Sequence, residues 1–207
     1  NGLDTVLVVC DDPWLFRHLS RQGGKILTSA PKYRLKAKAM WLRGFLSRCR
    51  YAMTAFIACW RSSKDVKHCP KNRTAIISYD HPKSNAQGHD AYFGDLLKWC
   101  PDIIRMIHTD CSEIKAGALS GAARSFSLHA WGNPWFALSL PWRRWRLRIA
   151  DWPAETNWLV RRALLKDGAT GQSAAIAWQV HCQSRWLEKT RPQMVLWPWE
   201  HHGWERQ

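Results

Sequence analysis

With 207 residues and 46% apolar content, the chain can bury a sizeable core, and it is too apolar for a disordered segment. A formal charge of +15 points to anionic partners, and no run of five or six consecutive basic residues marks a tail. Fifteen tryptophans suit cores, membrane interfaces and platforms for sugars or bases alike.

Residues 5–10 form an apolar run that reads as a buried strand, with Asp11 and Asp12 in the loop beyond it. Residues 14–24 read as a short helix stopped by Gly23 and Gly24, and residues 25–30 as a second strand cut off by Pro31. This opening favours an α/β layer. Residues 33–61 are helical, with Leu35, Ala39, Leu42, Leu46 and Met53 on one face and Arg and Lys between them. The stretch is too charged to span a bilayer. It reads as an amphipathic helix, or a helical pair broken near Gly44, packed on a sheet; the alternative is a helix lying on an anionic membrane surface.

Residues 73–80 read as a strand ending in Asp80, followed by a turn-rich stretch with Pro82, Asn85 and Gly88. A helix is expected within 89–100, with Asp90 near its start. Residues 102–110 form the next strand, ending in Asp110, and 111–123 the next helix. Residues 125–132 read as a strand or extended segment. Pro141 splits residues 133–153, helices are expected over 155–167 and 172–189, and residues 193–200 read as a last strand with Pro198 near its end.

The order is β-α-β-α-β-α-β with helical insertions. The expected fold class is α/β, a Rossmann-like parallel sheet in a single domain over 1–207, with 33–61 as a basic helical insertion. Asp11, Asp12, Asp80, His81, Asp110 and Glu200 stand at strand ends, and in open parallel sheets ligands bind beyond the carboxyl ends of the strands.

The seven cysteines are odd in number and lack a CxxC pair, which favours reduced thiols in a cytoplasmic compartment. His108 with Cys111, and His181 with Cys182, lack a second matching pair, so no metal site is expected. Phosphate-cradling glycine motifs, GxSxG and HExxH are absent. The arginine pairs Arg143–Arg144 and Arg161–Arg162 could bind phosphate, but such pairs more often sit on a solvated helix face.

Two stretches carry more chemistry. In the first, a strand end leads into a polar loop with His81, Gly88, Asp90, Tyr92 and Gly94. Such a loop can wrap a polar ligand, and its glycines permit close backbone approach. In the second, "VLWPWEHHGWERQ", Glu200 at a strand end is followed by Trp204 and Glu205. A carboxylate there can take a proton from a sugar hydroxyl, and an indole can stack on a sugar's C–H face.

Together, "VVCDDPWLFRHL", "SYDH" with "GHDAYFGDL", and "LWPWEHHGWE" resemble the N-terminal part of bacterial surface-carbohydrate biosynthesis proteins with a GT-B-like glycosyltransferase architecture. His201 and His202 stand where that family has a polar turn led by Asn. The resemblance implies two Rossmann-like domains. The first binds a glycan or lipid-linked acceptor; the second holds a nucleotide-sugar donor. This chain would be the acceptor side, a fragment inactive by itself and without a cofactor of its own, working in the cytoplasm at the inner face of the membrane. Glu200, Asp80 or Asp11 would be the acid near the acceptor hydroxyl. Asp12, His81, Gly88, Asp90, Tyr92, Gly94, Trp204 and Glu205 would bind substrate. A basic nucleic-acid-binding protein and a non-catalytic peripheral membrane protein are the competing readings. The strand-end acids disfavour nucleic acid, because they would repel a phosphate backbone. The sequence specifies no oligomeric state.

Overall fold

The computed structural model describes residues 7–10, 12–23, 25–27, 32–121, 124–143, 153, 155–166 and 168–198. Among them a four-stranded, all-parallel sheet is built from β1 (Ala75–Ser78), β2 (Ile104–Ile107), β3 (Ser125–Ser127) and β4 (Val195–Leu196). Its order is β3-β2-β1-β4. The chain is therefore α/β with a Rossmann-like sheet. β1 and β2 are buried at every position, as parallel strands covered on both faces should be.

Helices cover the two faces unequally. On one face, Ala75, Ile77, Ile104 and Met106 pack against Trp131 and against Trp186 of α8 (Gly171–Thr190). The other face carries two short helices. Leu97 of α4 (Leu96–Trp99) covers Ile76, and Ala116 of α5 (Glu113–Ala118) covers Ile107. α8 is itself sandwiched. Its Ala174, Trp178 and Cys182 pack away from the sheet against Ala52, Ala55 and Cys59 of α2 (Tyr33–Ser62) and Ala137 of α6 (Pro134–Ser139). Trp131, Trp178 and Trp186 are fully buried, and each such side chain stabilises the fold by about 1.5–3 kcal/mol or more.

Several expectations change here. Leu7–Cys10 and residues 25–27 lie outside any strand and carry exposed apolar side chains, so the opening strand–helix–strand unit does not form among the described residues. Instead Asp12 caps α1 (Pro13–Arg21), which packs against α7 (Asn157–Lys166) away from the sheet. Residues 7–10 have strand composition but, among the described residues, no neighbouring strand to hydrogen-bond. The stretch 89–100 is helical only over α4, because Asp90 bridges to Gly94 instead of starting a helix.

The helix at 33–61 is one unbroken element, and it packs with the face opposite to the expected one. Gly44, Arg48, Ala52, Ala55, Cys59 and Ser62 are buried, while Leu35, Leu42, Leu46 and Met53 are exposed. Gly44 permits the packing and does not break the helix: a Cβ there would run into the Ala169 carbonyl. Arg48 fastens the same seam, donating from Nε to the Pro141 carbonyl at 2.9 Å and also bonding the Ala169 carbonyl. Among the described residues, no helix is long and apolar enough to cross a membrane.

Candidate functional site at the carboxyl edge of the sheet

β1 and β2 run side by side in register, Ser78 opposite Ile107, so the residues that follow them meet at one edge. Tyr79 lies beside His108, ring centroids 4.7 Å apart, and Tyr79 also meets Tyr92 at 5.7 Å. His81 stands edge-on to Tyr92 at 6.1 Å. Tyr92 is 41% exposed and forms an aromatic surface at this edge. β1 lies between β2 and β4, and the connection from β3 to β4 runs by way of α8 on the opposite face to α4 and α5. The chain thus reverses its direction across the sheet at β1, the position where open α/β sheets hold ligands.

Asp80 is partly exposed and pairs with Lys115 Nζ of α5 at 2.6 Å. The hydrogen bond that Lys115 donates to Asp80 is the main cause that holds the Lys115 ammonium above its usual range. His81 Nδ1 accepts the Lys83 N–H at 3.2 Å, which leaves Nε2 as the donor of the neutral ring. At His108 Nδ1 two partners compete: the Asp110 N–H at 3.2 Å and the Asp110 carboxylate at 3.0 Å. The first needs a bare nitrogen and the second a protonated one, so the ring's tautomer and charge decide between them.

Behind this surface the polar groups are tied down. Thr109 donates to Gln179 Oε1 of α8 from both N–H and hydroxyl, at 3.2 and 2.7 Å. His129 accepts the Trp178 indole N–H at 3.0 Å, and burial pushes its pKa down to about 4. Burial pushes the Cys111 thiol up to about 12, and Asp80 and Asp110 reinforce the shift, so it is no nucleophile near neutral pH. Burial also raises the Tyr51 phenol, opposed by a hydrogen bond to Thr109.

The loop expected to wrap a ligand is built from within. Asp90 is fully buried: it receives the Ser78 hydroxyl and the N–H groups of Tyr92 and Phe93, and pairs with Arg105. Arg105 also reaches Ser125 Oγ and the carbonyls of Asn85, His89 and Leu119. Gly94 adopts φ +59° and exchanges two backbone hydrogen bonds with Asp90. Gly88 adopts φ +96°, a conformation L side chains avoid, against the Lys98 side chain. Asp90, Gly88 and Gly94 therefore shape the loop; of its other anticipated residues, Tyr92 is exposed and His81 half-buried.

Of the anticipated residues, Asp80, His81 and Tyr92 come together. Asp12 does not join them. Its carboxylate caps the Trp14 and Leu15 N–H groups and pairs with Arg162 of α7; burial raises its pKa, but these partners outweigh that and hold it below the usual range. Asp11, Glu200, Trp204 and Glu205 lie outside the described residues. Tyr79, His108 and Lys115 were not anticipated. The parallel-sheet rule could have found the first two, since they follow neighbouring strands; Lys115 needed the position of α5. Among the described residues, no three His, Cys, Asp or Glu side chains gather as they would around a metal ion.

Comparisons with protein-family models, curated proteins and solved structures found no match to this chain.

Proposed function

We propose that this chain is the acceptor-binding part of a glycosyltransferase of bacterial surface-polysaccharide biosynthesis, with the acceptor sugar held over the carboxyl ends of β1 and β2. The observation that carries the reading is the convergence of Asp80, His81 and Tyr92 at that edge. The Tyr92 ring offers a face for sugar C–H groups. Asp80, paired with Lys115, can accept a hydroxyl hydrogen bond and, in the complete enzyme, the hydroxyl proton. His81 Nε2 supplies a donor beside it. The resemblance in sequence implies the class of acceptor, a glycan or a lipid-linked glycan, and a nucleotide-sugar donor bound by a second α/β domain. The setting would be the cytoplasmic face of the membrane.

The test is a glycan array probed with the full 207-residue chain and with its Tyr92→Ala and Asp80→Asn variants. Binding to a subset of glycans, weakened roughly tenfold or more by either variant, is the expected result. Absence of glycan binding, or binding indifferent to both substitutions, would overturn the assignment.

A further inference from the structure

α2 has two apolar faces, and among the described residues it packs with the one made mainly of small residues. At about 100° per residue, Gly44, Ala52, Ala55 and Cys59 point into the body of the protein. On the opposite side, Leu35, Leu42, Leu46, Met53, Ile57 and Trp60 fall within roughly 60° of arc. These six are between 38% and 73% exposed. Leaving a continuous row of large apolar side chains in water is unfavourable, and such a row marks an interaction surface.

Charge decides what covers it. Between Tyr33 and Ser62 there are seven basic residues and no acidic one. Lys36, Arg43 and Arg50 recur every seven residues, so they line one flank of the apolar row, and all three are exposed. Arg61 continues that flank and pairs with Glu113 of α5 at 2.9 Å. Trp60 stands at the other edge of the row, while Trp41 lies on the packed side, stacked on Phe45 at 5.7 Å, and Phe45 meets the exposed Trp142 edge-on at 6.2 Å. A second copy of α2 would set arginine against arginine with no carboxylate on either helix to pair with. A nucleic-acid backbone would neutralise the arginines but leave the leucines in water. An anionic lipid surface satisfies both: acyl chains take the apolar row, headgroup phosphates take the basic flank, and Trp60 sits at the boundary.

We infer that the exposed face of α2 docks this protein in the plane of an anionic phospholipid bilayer. The helix lies on the membrane and does not cross it. The inference uses none of the residues at the sheet edge, so it stands or falls separately from the acceptor site.

The experiment is vesicle flotation of the full chain. One vesicle is phosphatidylcholine alone; the other is an equal mixture of phosphatidylcholine and phosphatidylglycerol. The protein should float with the mixed vesicles only, and raised salt should release it. Arg43→Glu with Arg50→Glu should weaken binding on the order of a hundredfold. Leu42→Ser with Leu46→Ser should weaken it about tenfold or more. All four side chains are exposed, so thermal melts of both variants should match the parent and separate lost docking from lost folding. Failure to bind the mixed vesicles, or unchanged binding by both variants, would overturn the inference. So would a dimer abolished by the leucine substitutions, or duplex-DNA binding abolished by the arginine substitutions, in the absence of vesicle binding. The first outcome would assign the face to a second copy, the second to nucleic acid.

Discussion

Arg105 of β2 and Asp90 of the loop that follows β1 face each other at 3.5 Å, and neither side chain has any solvent exposure. Burial lowers the Arg105 pKa, and the nearby Asp90 carboxylate opposes that shift. Removing one partner leaves a buried charge uncompensated. Arg105→Met should therefore destabilise the protein by about 3–5 kcal/mol in urea unfolding. Combining it with Asp90→Asn should cost less than the sum of the two single changes, because the second substitution removes the orphaned charge. Strict additivity would mean that the pair is not coupled.

Gly44 marks the closest approach of α2 to the turn before α8. Alanine would gain up to about 1 kcal/mol of helix propensity there, but its Cβ would collide with the main-chain carbonyl of Ala169. A backbone atom cannot rotate aside as a side chain can. Gly44→Ala should therefore lower stability by about 1–3 kcal/mol, read from the shift in the denaturation midpoint.

His129 couples stability to pH. Its folded pKa of about 4 lies below the unfolded value of 6.5, since burial disfavours the charged ring. Stability from this group is fully present above pH 6.5, declines as the pH falls toward 4, and levels off below that. The amount is on the order of 3 kcal/mol. Burial, assisted by Arg185 and Arg143, depresses His181 to about 4 as well, in the same direction. Urea melts across this window should give a shallower decline for His129→Gln than for the parent. An unchanged slope would show that the ring is not what titrates.

Asp80→Asn should leave the thermal midpoint unchanged within error. Its bond to Lys115 lies at an exposed surface, where ion pairs contribute little to stability. A large drop in that midpoint would recast Asp80 as a structural residue and would remove it from the proposed acceptor site.

The strands at 75–78 and 104–107 were legible because a parallel strand covered on both faces must be apolar along its whole length. The equally apolar residues 7–10 misled for the same reason: composition reports what a segment could bury, not whether a partner strand is adjacent. On α2, the large side chains suggested the packed face. The small residues pack instead, because Gly44, Ala52 and Ala55 let the helices approach closely. Asp90 had the signature of a ligand-binding or capping acid. Its partner Arg105 lies on another element, and nothing local in the sequence announces that pairing.

The sequence by itself determined the α/β class, the parallel sheet and the position of Asp80 and Asp110 beyond strand ends. These follow from apolar runs and from the handedness and packing rules that parallel strands obey. Only the tertiary structure decided which acids face solvent: Asp80 does, Asp12 caps a helix elsewhere, and Asp90 is sealed in by Arg105. It also decided that α2 turns its large apolar side chains outward. Burial is a property of neighbours, and neighbours distant in sequence are fixed only when the layers pack.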